Sequence, residues 1–350
     1  MYSEADLQSA VAAGAISHDA AEALRAHAIG LRNTPSADEE HFRLITGFND
    51  IFVTIAAALL LLAAGGLGHA IMPGFGGLLV AGSAWFLAEF FTRKRRMALP
   101  SIVLLLAFVA GVMAVPIEIL TKANPTFSDT VDALIGAGIA LLAAGAAYVH
   151  WRRFMVPITV AAGAAALVGT VIALIVSALV AANPQFDPEN YMLPMVFVGG
   201  LGVFAYAMRW DMTDPQRETR RSDVAFWLHL LAAPMIAHPL FNWLGVSGGA
   251  NIGVASVLGV IAIYVAMGAV ALAVDRRALL VSALAYVLIA LTWLFRQFGA
   301  VELNVALTGL VIGSALLALS AFWTPIRSAL VQRLPGGMQA MLPRGALALA

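Results

Sequence analysis

Residues 51–67 read Ile-Phe-Val-Thr-Ile-Ala-Ala-Ala-Leu-Leu-Leu-Leu-Ala-Ala-Gly-Gly-Leu, and this stretch decides the fold. It carries no charge and no proline. A bilayer core of ~30 Å needs about 20 mostly apolar residues in one helix, because lipid offers no partner to an open backbone N–H or C=O. Extended to 48–71, the run is long enough to span. Nine more runs of this kind follow, at about 75–92, 99–120, 130–149, 155–181, 191–208, 223–244, 252–274, 278–296 and 303–323. The second and sixth are at the short end of the spanning range. The predicted fold is all-α: a polytopic integral membrane protein of about ten transmembrane helices.

Composition agrees. Of 350 residues, 61% are apolar and 11% charged, where a soluble domain carries about 25% charged residues. The net charge is zero, so no global field draws nucleic acid. The chain has no cysteine, which excludes disulfides, thiolate nucleophiles and cysteine-held metals. No cofactor is expected, and no metal. The first residues are acidic and amphipathic, unlike a cleavable signal peptide. The run from Ile51 is expected to act as an uncleaved targeting signal.

Charge sets the expected orientation, because lysine and arginine concentrate on the cytoplasmic side. Alternate loops hold Arg93, Lys94, Arg95 and Arg96; Arg152 and Arg153; Arg209, Arg217, Arg220 and Arg221; Arg276 and Arg277. The tails add Arg25, Arg32, Arg43, Arg327, Arg333 and Arg344, while the other loops hold only Lys122 and Arg296. Ten spans with both ends inside satisfy this alternation, and an error of one helix would scramble it.

Residues 1–47 read as a cytoplasmic helical hairpin with a lead-in helix, 48–323 as the ten-helix domain and 324–350 as a cytoplasmic tail. In the hairpin, Ser3 with Asp6 forms a capping box, Gly14 closes the first helix and Ser17 caps the second. Ala20, Leu24, Ala28 and Leu31 share a face of that second helix. Ser36 with Glu39 opens the lead-in helix. Helices this short are marginal alone and need each other, the membrane domain or a protein partner. Seven acids against three arginines argue against nucleic acid or anionic lipid as that partner. In the tail, Ile326, Leu330 and Leu334 share a face between Pro325 and Pro335. This predicts a short helix on the inner membrane surface.

The chain repeats. Arg95-Arg96-x-x-x-Pro100 opens the third span and Ala123-Asn124-Pro125-x-Phe127 follows it; Arg152-Arg153-x-x-x-Pro157 opens the fifth and Ala182-Asn183-Pro184-x-Phe186 follows it. The offset is 57 residues at the prolines and 59 at the second motif. Three features in order point to duplication of a two-helix unit. With Ala13-Gly14-Ala15-Ile16-Ser17 and Trp323-Thr324-Pro325-Ile326-Arg327, the chain loosely resembles a set of uncharacterised bacterial polytopic membrane proteins. They share an N-terminal helical hairpin, Arg-Arg-led helix pairs and a Trp-x-Pro-x-x-Arg exit from the last span. Here the arginine comes one position early. The resemblance implies a bacterial inner membrane and no particular activity.

The seventh run is the oddest. It carries His229, His238 and Asn242, with Pro234 and Pro239 inside it. Each proline frees a carbonyl, and such broken helices line substrate sites in many transporters. The plain alternative is a kinked helix with bonded histidines. His229 and His238 lie nine residues apart, nearly opposite on a helical wheel, so they make a poor metal pair. His238-x-x-x-Asn242 and Gly245-x-Ser247-Gly248 are similar to motifs of rhomboid intramembrane serine proteases. In that family a histidine from a later helix activates the serine. No histidine follows His238 here, and a serine without its base is not activated. Glu118, Arg296 and Glu302 complete the candidate set near the outer face, where Arg296 and an outer glutamate would gate a pathway or join two helices. The function classes are then a non-enzymatic scaffold, sensor or assembly factor, a small-solute transporter, and, remotely, an intramembrane serine hydrolase. Ten spans also describe the drug/metabolite transporter superfamily, but a two-helix repeat in one orientation does not fit its five-helix inverted halves. A transporter predicts a polar cavity at mid-membrane; a scaffold predicts a filled core.

Overall fold

A computed structural model describes residues 9–24, 48–183, 185–215, 217, 219–246, 253–297, 304–339 and 341–342. Two compact units result, an N-terminal one that includes residues 9–24 and one over residues 43–347. In the first, residues 9–12 and 18–24 are helical. Gly14 closes the first piece at φ 70°. The Ala15 N–H donates to Ala10 O and the Gly14 N–H to Val11 O, the paired bonds of a glycine C-cap. Ser17 Oγ accepts from the Ala20 N–H at 3.1 Å. The buried residue of the second piece is Ala21, whereas Ala20 and Leu24 of the expected face are exposed.

In the second unit all ten apolar runs are helical. They are α1 (Phe48–Ile71), α2 (Phe75–Ala88), α3 (Ala98–Ala123), α4 (Asp129–Phe154), α5 (Ile158–Ala182), α6 (Glu189–Met212), α7 (Arg220–Trp243), α8 (Val254–Val274), α9 (Ala278–Gln297) and α10 (Asn304–Ala321). Eight of these are long and apolar enough to cross a membrane. α9 is the shorter apolar helix Leu279–Phe295, and α10 turns by 71° into α11 (Trp323–Val331). The chain is an all-α polytopic membrane protein. Two runs expected to be short are not. α2 continues as a π-helical turn through Lys94, and α6 extends to 24 residues by taking in the polar ends of its run. The outward-facing leucines and phenylalanines of α1, such as Leu59 and Leu62, are exposed because their solvent is lipid.

The arginine-rich turns share a backbone feature. Arg96, Met155, Arg217 and Asp275 are non-glycine residues at positive φ, one in each arginine-rich turn. Asn124 and Asn183 both close their helices, each N–H donating to the carbonyl four residues back at 2.9 Å. Their backbones differ, left-handed at Asn124 and extended at Asn183. The prolines fall out of step because Pro100 lies inside α3 while Pro157 is the N-cap of α5. Packing is closest within hairpins joined at the arginine-rich turns: α2 with α3, α4 with α5, and α6 with α7. The α5–α6 neighbours, joined at the opposite face, touch far less.

α7 is the centre of the second unit. Half of its most apolar window is buried, against 33% or less in the other seven long helices. Leu228 and Ala232 meet α5 and α6; Ala237 and Phe241 meet α8 and α9; Ala233 packs with Leu279 and Trp323.

Candidate functional site

The seventh helix is where sequence reading and structure differ most. It stays helical through both prolines. Pro234 is exposed and Pro239 buried, so no break opens inward at Pro234. His238 is exposed, its Nδ1 2.5 Å from Tyr286 Oη. Asn242 is half-buried one turn further on. The serine of the rhomboid-like string, Ser247, lies outside the described residues, as do Glu302 and the side chain of Arg296.

His229 is different. It is fully buried, with Nε2 2.8 Å from Asp211 Oδ2. Asp211 sits at the end of α6 and is itself 1% exposed. Arg276 binds the same carboxylate through Nη2 and, at 3.5 Å, through Nε. A carboxylate held by arginine is an acceptor only, so the imidazole donates Nε2–H to it. Nδ1 of His229 is buried with no hydrogen-bond partner among the described residues. Arg276 also donates to the backbone oxygen and hydroxyl of Ser222, both at 3.1 Å.

A second carboxylate continues the array. Asp275 closes α8 at φ 60°, a left-handed position that a short polar side chain tolerates. Arg217 Nη1 donates to Asp275 Oδ2 at 3.0 Å, and its Nη2 to the carbonyls of Val274 and Asp275. Burial, with Arg276 close by, pulls the Arg217 guanidinium below its usual pKa, and Asp275 opposes the shift. Trp323 Nε1 donates to Asp275 Oδ1 at 2.7 Å, and Arg327 Nε lies 3.6 Å from the same oxygen. Arg277 lies over the Trp323 ring. Asp214 accepts from the Thr219 N–H and hydroxyl, and Thr219 Oγ1 caps α7 by accepting from Arg221 N–H. Arg217, Arg276 and Arg327 with Asp211 and Asp275 thus form a buried ion array. It joins the end of α6, the start of α7, the α8–α9 turn and α11.

Arg276 and Arg217, which the charge pattern places in the arginine-rich turns, are buried ion-pair partners. α11 buries Trp323, Arg327 and Val331, while Ile326 of the expected lipid-facing stripe is exposed and Leu330 and Leu334 are half-buried. Trp323 and Arg327 are the exit residues singled out in the sequence, and their shared partner Asp275 explains why they occur together. Asp211 was missed. Its signal is an aspartate three residues past the end of the 191–208 apolar run.

At the opposite face Glu118 serves the α1–α2 turn. Its Oε2 accepts the Gly74 N–H at 2.9 Å and lies 3.6 Å from His69 Nδ1. That places it as a cap on the start of α2. His150 is a further buried histidine, packed among Trp85, Phe108 and Phe154 with Nδ1 3.4 Å from Thr159 Oγ1. No group of three His, Asp or Glu side chains able to hold a metal occurs among the described residues.

No protein-family model matches the chain, and comparison with curated proteins and with solved structures found no relative. The chemistry therefore rests on the array itself. Within it Asp211 is held by Arg276 and His229, and Asp275 by Arg217 and Trp323. What it can do is fix four chain segments against one another.

Proposed function

We propose that the chain is a non-enzymatic integral membrane protein, a scaffold, sensor or assembly factor. In this reading α6–α9 form a fixed support and the acidic N-terminal hairpin is the docking element for a protein partner. The arginine-rich face lies in the cytoplasm of a bacterial inner membrane, with both chain ends inside. The observation that carries the reading is the filled interior around α7. A transporter needs a wet cavity near mid-membrane lined by polar groups. Along α7 that depth holds Leu228, Ala232, Ala233, Ala237 and Phe241, each 0% exposed. Within this stretch His229 is buried against Asp211 and His238 is exposed.

Hydrogen–deuterium exchange of the full chain in nanodiscs tests this. A dry, filled helix exchanges only through rare opening. Amides from Val224 to Phe241 should exchange more slowly than those of α4, at every pH tried. Fast exchange confined to Ala233–Ala237 would mean water reaches mid-membrane and would favour a transporter.

A further inference from the structure

Between α4, α5 and α6 runs a groove of about 1010 Å³, lined from Leu141 to Trp151 on α4, Thr159 to Ile175 on α5 and Pro194 to Trp210 on α6. Its origin is the topology. α4 pairs with α5 and α6 with α7, so α5 and α6 lean apart. Along α5 the lining covers ~24 Å by the helical rise, most of a ~30 Å hydrocarbon core. Gly145 and Gly202 line the groove, and a Cβ built on either meets nothing within 4 Å. The groove is a slot open to lipid and too apolar to hold water stably.

Its two ends differ. At the arginine-rich end the lining is aromatic, with Tyr148, Trp151, Tyr206 and Trp210. Such rings sit at the headgroup level of a bilayer. Arg152 donates to Tyr148 Oη at 3.0 Å and lies 5.9 Å from the centre of its ring. Arg209 falls on the same face of α6 as Gly202 and Tyr206, at helical spacings of seven and three. Both arginines are exposed, and neither has an acidic partner among the described residues. By contrast, Arg153 is held by Glu89 at 2.6 Å. The rim therefore carries two uncompensated positive charges beside an apolar slot. Headgroup-level rings, a slot of bilayer depth and unmatched cations together fit one ligand chemistry.

We infer that this groove is a binding site for an anionic phospholipid, with one acyl chain in the slot and the phosphate between Arg152 and Arg209. The inference stands independently of the scaffold reading, since it uses neither α7 nor the buried array.

The test is native mass spectrometry of the full chain released from nanodiscs holding equal amounts of phosphatidylglycerol and phosphatidylcholine. The wild type should retain phosphatidylglycerol in preference. Each arginine near a membrane surface is worth about fivefold in attraction to anionic lipid, so R152Q with R209Q should abolish most of that preference. Gly202→Phe should fill the slot and lose retained lipid of both kinds, and Gly145→Leu should do the same if the first variant fails to fold. Equal retention of the two lipids by the wild type would overturn the inference. So would an unchanged preference in the arginine variant, or wild-type retention in the filled-slot variants. A two-chain species without lipid that disappears in Gly202→Phe would also overturn it, by assigning the groove to a second copy.

Discussion

The first three helices and the region from α6 to α11 solve the same problem by different means. α1, α2 and α3 meet through bare backbone. A Cβ built on Gly68 would fall 2.6 Å from Gly76 Cα, and one on Gly77 would fall 2.6 Å from Gly111 O. In lipid no hydrophobic force draws helices together, so van der Waals contact of small residues does it. The α6–α11 region adds charge to packing, with Asp211 and Asp275 as buried hubs for Arg276, Arg217, Trp323 and His229. Close approach tolerates no added atom, whereas an ion array tolerates no missing partner. The two regions should therefore fail under opposite kinds of substitution.

The largest effect is expected at Asp211. Asp211→Ala removes the carboxylate and leaves Arg276 and His229 buried without it, which typically costs about 3–5 kcal/mol. Thermal unfolding in detergent should show a large loss of stability, or no folded protein. A loss under about 1 kcal/mol would mean that the array is solvated in practice, as surface pairs are.

Next comes Gly77→Ala, which adds one methyl where backbone already sits. Overpacking of this kind costs about 1–3 kcal/mol. The same assay should show the loss, and Gly136→Ala, with nothing within 4 Å of its Cβ, should not. Equal behaviour of the two glycines would remove the contrast between the regions.

The smallest effect is expected at Glu89, whose pairs with Arg93 and Arg153 are exposed ion pairs at the same face. Those arginines hold the Glu89 side chain in place without burying it. Glu89→Gln should leave the melting temperature unchanged within error. A shift as large as that of Asp211→Ala would show that burial is not what separates the two ion sites.

The all-α polytopic class was legible because the bilayer imposes length and polarity strictly, and among the described residues eight of the ten apolar runs are helices long and apolar enough to cross. The array was not legible, for a physical reason. Arginines at alternate loops are what orientation demands, so Arg217 and Arg276 carried no separate sign that they turn inward. Their partners Asp211 and Asp275 lie far from one another in the chain and meet only because α6–α7 and α8–α9 are adjacent hairpins. The glycines of α1–α3 were visible but named no partner. Of the candidate residues, His229 is buried against Asp211, His238 is exposed, Asn242 is half-buried and Glu118 accepts the Gly74 N–H at the start of α2. Glu302 and the side chain of Arg296 lie outside the described residues.

A closed interior beside α7 is what separates a scaffold from a transporter. Because the chain has no cysteine, single cysteines report accessibility without background. Ala233→Cys and Ala237→Cys replace fully buried small residues, and Arg221→Cys marks an exposed loop-side position on the same helix. An impermeant maleimide applied from each side of sealed vesicles should label Arg221→Cys from one side only and leave the two interior cysteines unreacted. Labelling of Ala233→Cys or Ala237→Cys from either side, in folded protein, would show that water reaches the interior and rule out a closed core.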